Sequence, residues 1–185
     1  MTCVYTVRCR FTEPAREQAW NAWYSGPKLV QMLSQPHFLS CQRFRRSAGT
    51  GRDYLALWTV ARAEALTTPQ YRSQWGFAEW APYITDWSRD LFDAGDMPHQ
   101  AFAVAPGEAL HAVSFDGMDA DAGNVNAAKA SAPADMMWLP NIGLDRHTPM
   151  IGLKPRAANA SPPNAGKGAQ ATVYQPLFEV QLAKH

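Results

Sequence analysis

The sequence predicts an α+β protein in which two β-α-β-β-α-β units set their sheets face to face and close an α/β barrel. Three observations lead there. Strand-like and helix-like runs follow that order across about residues 3–92 and again, more faintly, across about 109–182. Each half ends on a similar phrase, Arg89-Asp90-Leu91-Phe92-Asp93 in the first and Gln175-Pro176-Leu177-Phe178-Glu179-Val180 in the second. Residues 3–11 alternate with period two, Cys3, Tyr5, Val7, Cys9 and Phe11 on one face and Val4, Thr6, Arg8 and Arg10 on the other, which is the signature of a strand.

The remaining elements follow in order. Thr12-Glu13-Pro14 reads as a helix start with Thr12 as N-cap, and Trp20, Trp23 and Tyr24 place an aromatic stripe on a helix through Tyr24. Gly26-Pro27 breaks or kinks it, and Leu29, Met32 and Leu33 continue an apolar face. A strand from His37 to Arg46, a hairpin at Ala48-Gly49-Thr50-Gly51 and a returning strand from Tyr54 to Val60 come next. A helix over 62–73, an irregular aromatic stretch and a strand from Ile84 to Phe92 complete the first unit, residues 1–93. Residues 94–108, with Gly95, Pro98, Pro106 and Gly107, read as a linker.

The second unit, residues 109–185, is degenerate. Leu110 to Phe115 reads as a strand, 120–132 as an Ala-rich helix, and Met136 to Ile142 and Met150 to Leu153 as paired strands. Residues 155–170 are rich in Ala, Asn, Pro and Gly, so any helix there is short, and Thr172 to Leu182 closes as a strand with Pro176 at an edge or bulge. This order is ferredoxin-like, an antiparallel sheet with both helices on one face and the other face left to be covered.

Composition narrows the function. Hydrophobic residues make up 46% and charged residues 18%, enough for a packed core. Seventeen Lys+Arg against sixteen Asp+Glu give a net charge of +1, which argues against nucleic acid or an anionic membrane as partner. Cys3, Cys9 and Cys41 form no disulfide framework, and the N-terminus shows no signal peptide, so a cytoplasmic protein with reduced thiols is expected. No His or Cys pair has zinc spacing, and the Asp-rich run from Asp116 has Ala130 where a calcium loop counted from Asp119 needs Glu, so no metal is expected. No phosphate loop or nucleophile elbow is present.

The first half carries a resemblance. Trp23-Tyr24-Ser25-Gly26-Pro27-Lys28-Leu29, then Pro36-His37-Phe38-Leu39-Ser40 and Arg43-Phe44, resemble the dimeric α/β barrel superfamily, in its EthD-like flavour. Two positions depart: Lys28 stands where the pattern has a histidine, and His37 where it has the glycine of Pro-Gly-Phe. The resemblance therefore does not bring a histidine-based activity to this chain. It implies a superfamily of cofactor-free monooxygenases, isomerases, polyketide cyclases and haem enzymes. For haem, His111 and His147 are candidate axial ligands, though nothing in their local pattern recommends either.

The expected site lies between the two sheets. Six of seven tryptophans fall in residues 20–87, a wall suited to a flat ligand. Asp86 and His37 are candidate bases there, with Arg8, Arg43 and Tyr54 as oxyanion stabilisers. Tyr5, Trp23, Trp58, Trp87 and His147 are candidate substrate contacts, and Cys41 beside Arg43 is a thiol of interest. The reading is a small-molecule enzyme that needs no cofactor and acts on a hydrophobic or aromatic oxygenated compound by isomerisation, cyclisation or monooxygenation. A non-catalytic ligand carrier and a structural module that dimerises through its open sheet face are the rival readings.

Overall fold

The computed structural model describes residues 2–118 and 123–184. Eight antiparallel strands close on themselves in the order β3-β1-β4-β6-β7-β5-β8-β2, with β2 returning to β3. They are β1 (Cys3–Phe11), β2 (Phe38–Gly49), β3 (Tyr54–Val60), β4 (Ile84–Asp93), β5 (Glu108–Ser114), β6 (Met137–Leu144), β7 (Met150–Ala157) and β8 (Gln170–Pro176). A short β9 (Gln181–Leu182) continues the pairing of β8 along β2, at Ser40 and Cys41. In each half the first strand sits between the third and the fourth, β2-β3-β1-β4 and β6-β7-β5-β8. The halves join at two seams, β4 to β6 and β2 to β8. Closure leaves no long sheet edge free to pair with another chain.

Period two in β1 serves two different interiors. Val4 points into the barrel, where it packs with Phe44, Leu55, Leu57, Phe92, Leu110 and Ile151. Tyr5, Val7 and Cys9 point outward against the helices. Neither face of β1 meets water, so residues 3–9 are all buried. The segment read as a linker takes part in the inner core: Phe102 and Val104 belong to the same cluster, and the Gln42 side chain donates to the Val104 carbonyl (3.0 Å) and accepts from its N–H (2.9 Å). Sequence composition alone marked it as a connection, because its turn residues outnumber its two buried anchors.

The helices differ from expectation in detail. Thr12 does not cap: its hydroxyl donates to the Tyr83 carbonyl, and the chain enters through a single 3-10 turn, Pro14–Arg16, before α1 (Glu17–Trp23). Gly26-Pro27 neither stops nor sharply breaks the helix. It widens into a π turn, Tyr24–Lys28, and resumes as α2 (Leu29–Leu33), since Pro27 brings no N–H to the ladder. The third helix, α3 (Pro69–Gln74), is short, with the Thr68 hydroxyl accepting from the Tyr71 N–H. Among the described residues of the second half only α4 (Gly123–Ser131) is helical, and no helix covers 155–170. The acidic run from Asp116 falls partly outside the described residues. The matched end phrases are not equivalent: Arg89–Asp93 lies inside β4, whereas Leu177–Val180 is the break between β8 and β9.

Among the described residues no helix is long and apolar enough to cross a membrane. His111 lies on the outer face of β5, buried, and neither ring nitrogen meets a protein partner among the described residues. Burial, then Arg156, holds its pKa below the ordinary value. The unfolded chain therefore binds the extra proton first, and stability falls as pH drops below about 6.5. His111→Leu is expected to raise the melting temperature at pH 5.5 by about 2–4 °C, for roughly 1 kcal/mol, with a smaller gain at pH 8. Equal gains at both values would show that the ring is not a buried neutral imidazole.

Candidate functional site

The gap between the sheets is not an open pocket. Its centre is the apolar core already described, and one end is closed by an ion-pair network. Arg8 donates to Asp90 (3.1 Å), to Asp116 (2.9 Å) and to Ser114 (3.1 Å). Arg52 reaches Asp116 (2.9 Å), Asp86 (3.0 Å) and His147 (2.7 Å). Asp90 also accepts from Ser88 (3.1 Å), Asn141 (2.9 Å) and the His147 backbone N–H (2.7 Å). A guanidinium only donates, so His147 Nε2 must be the acceptor. Each buried charge here has its counter-charge, which is the pattern of a structural network rather than a site awaiting substrate.

Asp86 enters this network through a bulge. The β1–β4 register slips between Arg8 and Arg10, and Asp86 takes a left-handed φ of 45°. The extra residue turns its carboxylate toward Arg52 and Arg10. Burial raises its pKa, but the two guanidinia outweigh that and hold the carboxyl below its usual range. It is a poor base in this setting.

A recess lies on the other side of the first sheet, between its outer face and the helices. It is narrow, with about 20 Å³ of free volume, and is lined by Tyr5, Val7, Trp58, Trp87 and Arg89 from the strands, and by Tyr24, Lys28, Met32, Trp75 and Phe77 from the helical layer. Cross-strand pairing builds the floor, because Tyr5 lies directly opposite Trp58. Trp75 and Trp87 are each 42% exposed at the rim, and the Arg89 guanidinium lies 4.1 Å from the Trp75 ring centre. Asp145, on the β6–β7 turn, accepts from the Arg89 backbone N–H (2.8 Å) and from its Nη2 (3.1 Å), which fixes the side chain from the second half.

Lys28 is the unusual group. It is 6% exposed, its ammonium donates to the Gln74 main-chain carbonyl, and no carboxylate among the described residues pairs with it. Burial alone pushes its pKa down to about 8. Two more donors, Trp58 Nε1–H and Arg89 Nε–H on residues that line the recess, have no partner among the described residues. A smaller cavity adjoins it across Val7 and Tyr24 and is bordered by Arg43. Arg43 is 1% exposed, donates to Ser25 (2.7 Å) and Asn21 (3.0 Å), and packs 4.0 Å from the Tyr24 ring centre.

The sequence-predicted residues therefore divide. Tyr5, Trp58 and Trp87 line the recess. Arg43 and Tyr54 border the adjoining cavity, and Trp23 packs beside it on Tyr24 and Trp80. Arg8, Asp86 and His147 lie across the sheet in the ion-pair network. His37 is remote from both, its ring facing Arg62 and its φ of 71° supplying the left-handed bend that a glycine would otherwise give. The Cys41 thiol is pushed well up by burial, which Arg43 does not overcome, so it is not an activated nucleophile. Sequence reasoning did not select Arg52, Trp75, Phe77 or Arg89, and noted Lys28 only as a departure from a pattern. No histidine lines the recess, so a haem held by an axial histidine does not fit it, and no cluster of three metal-ligating side chains occurs among the described residues.

No protein-family model matches the sequence, and no curated protein matches it. Solved structures do resemble it. An anthrone oxidase-like protein superposes with a TM-score of 0.60 at 10% identity, over 100% of this chain and 94% of that one. A mutant chlorite dismutase from Candidatus Nitrospira defluvii gives 0.50 at 9% identity, over 95% of this chain and 92% of that one. The chain thus has the dimeric α/β barrel fold, an eight-stranded antiparallel barrel with few helices. At such identities the likeness concerns fold, and activity must be argued from the site.

Proposed function

We propose that the recess between the first sheet and its helices binds a flat, aromatic, oxygenated small molecule and oxidises it with dioxygen, without a bound cofactor. The observation that carries this reading is Lys28, a cation in an aromatic recess with no carboxylate to balance it. Uncompensated buried charge is costly to keep, and such groups concentrate at functional sites. The first half's resemblance to the EthD-like pattern reaches this recess through Trp23-Tyr24, with Lys28 departing from it where a histidine is usual. The shared strand order of the halves supports treating them as copies of one unit, of which the first keeps its recess.

With its pKa near 8, Lys28 is mostly protonated at pH 7 and populates both forms around pH 8. The free amine accepts a proton from an acidic C–H flanked by a carbonyl, and the resulting ammonium then balances the enolate. The enolate gives its electrons to dioxygen, a C–O bond forms, and the protonated peroxide loses water to leave a new carbonyl. The net change is one CH₂ and one O₂ becoming one C=O and one H₂O. Anthrone, taken from the name of the anthrone oxidase-like structural neighbour, is a suitable trial substrate. Oxygen-electrode traces should show enzyme-dependent uptake that Lys28→Met lowers by about 10²-fold or more. Uptake no faster than the spontaneous reaction, with anthrone still bound, would leave the carrier reading in place of the oxidase.

A further inference from the structure

We infer that the physiological ligand of this recess is held through an ionised oxygen: an aromatic carboxylate or phenolate, or the enolate formed in place from an aromatic ketone. This rests on the reading that the recess binds flat aromatic molecules, and it names their charge. The inference comes from an imbalance across the sheet. On the barrel side, Arg8 and Arg52 face Asp86, Asp90 and Asp116 at 2.9–3.1 Å. On the helix side, two buried cations, Lys28 and Arg43, border adjoining cavities and have no carboxylate partner among the described residues.

The uncharged polar groups point the same way. Trp58 is 1% exposed and its Nε1–H is unpartnered, and Arg89 Nε–H is unpartnered while its other end is tied to Asp145. An N–H donor without an acceptor in a dry site is satisfied by an oxygen that a ligand brings. The buried unpartnered side-chain atoms on these linings, on Trp58, Arg89 and Trp20, are all N–H donors, and no carboxylate is among the described residues that line either cavity. Charge-assisted hydrogen bonds are the stronger kind, and low local dielectric magnifies them.

Two naphthalene probes of nearly equal shape separate charge from shape. Binding of 2-naphthoate and of neutral 2-naphthamide is followed by quenching of tryptophan fluorescence, in the whole protein, from pH 6 to 10. The expected result is a carboxylate preference of about tenfold or more at pH 7, weakening as pH rises past 8 when Lys28 loses its proton. The groups facing Lys28 are Tyr5 from β1, Trp58 from β3, Arg89 from β4, its own neighbour Tyr24, and the Gln74 carbonyl from α3. Burial pushes both phenols upward, and Arg89 is held charged beside Asp145, so Lys28 alone is expected to titrate in that range. Lys28→Met should abolish the preference and keep naphthamide binding, while Lys28→Arg should restore it. Equal affinities, or a preference unchanged in Lys28→Met, would overturn the charge assignment and leave the recess as a neutral aromatic site. Failure of both probes to bind would overturn the recess reading as well.

Discussion

Replacing Arg8 with Met is expected to lower the unfolding free energy by about 3–5 kcal/mol, a fall in melting temperature of the order of 10 °C. The reason is what remains behind. Asp90 has no exposed side-chain surface, and the side chain of Asp116 is 6% exposed. Without Arg8, Asp90 keeps only hydrogen bonds from Ser88, Asn141 and the His147 backbone, and Asp116 keeps Arg52, which it shares with Asp86. Neutralising the stranded charge should recover part of the loss. Asp90→Asn can keep Oδ1 as acceptor for Asn141 and His147 N–H, so the double variant should lose about 2 kcal/mol less than the sum of the two single losses. Urea titrations of the four proteins measure this coupling directly. Strictly additive losses would mean that Arg8 and Asp90 do not form the pair that closes the barrel end.

Lys28→Met is expected to act in the opposite direction on stability and to remove function. Burial lowers the lysine pKa from its ordinary value to about 8. Across pH 8 to about 10.4 the unfolded chain therefore holds more protons than the folded one, and wild-type stability rises with pH. At pH 7 the folded protein bears the whole cost of the buried charge, and Met removes it. The variant should gain about 1–2 kcal/mol at pH 7, allowing for the partial solvation of the ammonium, or roughly 3–6 °C. That gain should shrink above pH 8 and vanish above about pH 10.5. A residue whose removal stabilises the fold while abolishing the preference for a carboxylate ligand is held there by function. A destabilised variant, with ligand affinity intact, would reassign Lys28 to the structural layer.

Much of this architecture was legible from local pattern. β1 falls where alternation placed it and β3 where the hairpin reading placed it, because period two, turn residues and β-branched or aromatic content are local properties of the chain. The position of Gly26-Pro27 foretold a disturbance of the helix, though not that it would widen. The faces were harder to assign. Arg8 and Tyr5 were correctly set on opposite sides of β1, yet both sides of this sheet are buried, so burial potential alone did not say which side holds a cavity. Grouping Arg8 and Asp86 with Tyr54 and Trp58 required a cross-strand register that one sequence does not contain. That register pairs Arg8 with Leu55 and Cys9 with Tyr54, which puts Arg8 and Tyr54 on opposite sides of the sheet. Arg52 escaped notice because an arginine beside a hairpin turn ordinarily reads as solvated. Lys28 did give a signal, a lysine in the turn that follows an aromatic helical stripe, and its weight comes only from burial without a partner.

The most direct measurement is a crystal structure of the protein with 2-naphthoate. The expected density lies between Trp58 and Trp87, with the carboxylate within hydrogen-bond distance of Lys28 Nζ and the barrel interior unchanged. Density inside the barrel, against Arg8 and Asp116, or on the surface groove between α2 and β9, would contradict the assignment of the recess as the binding site.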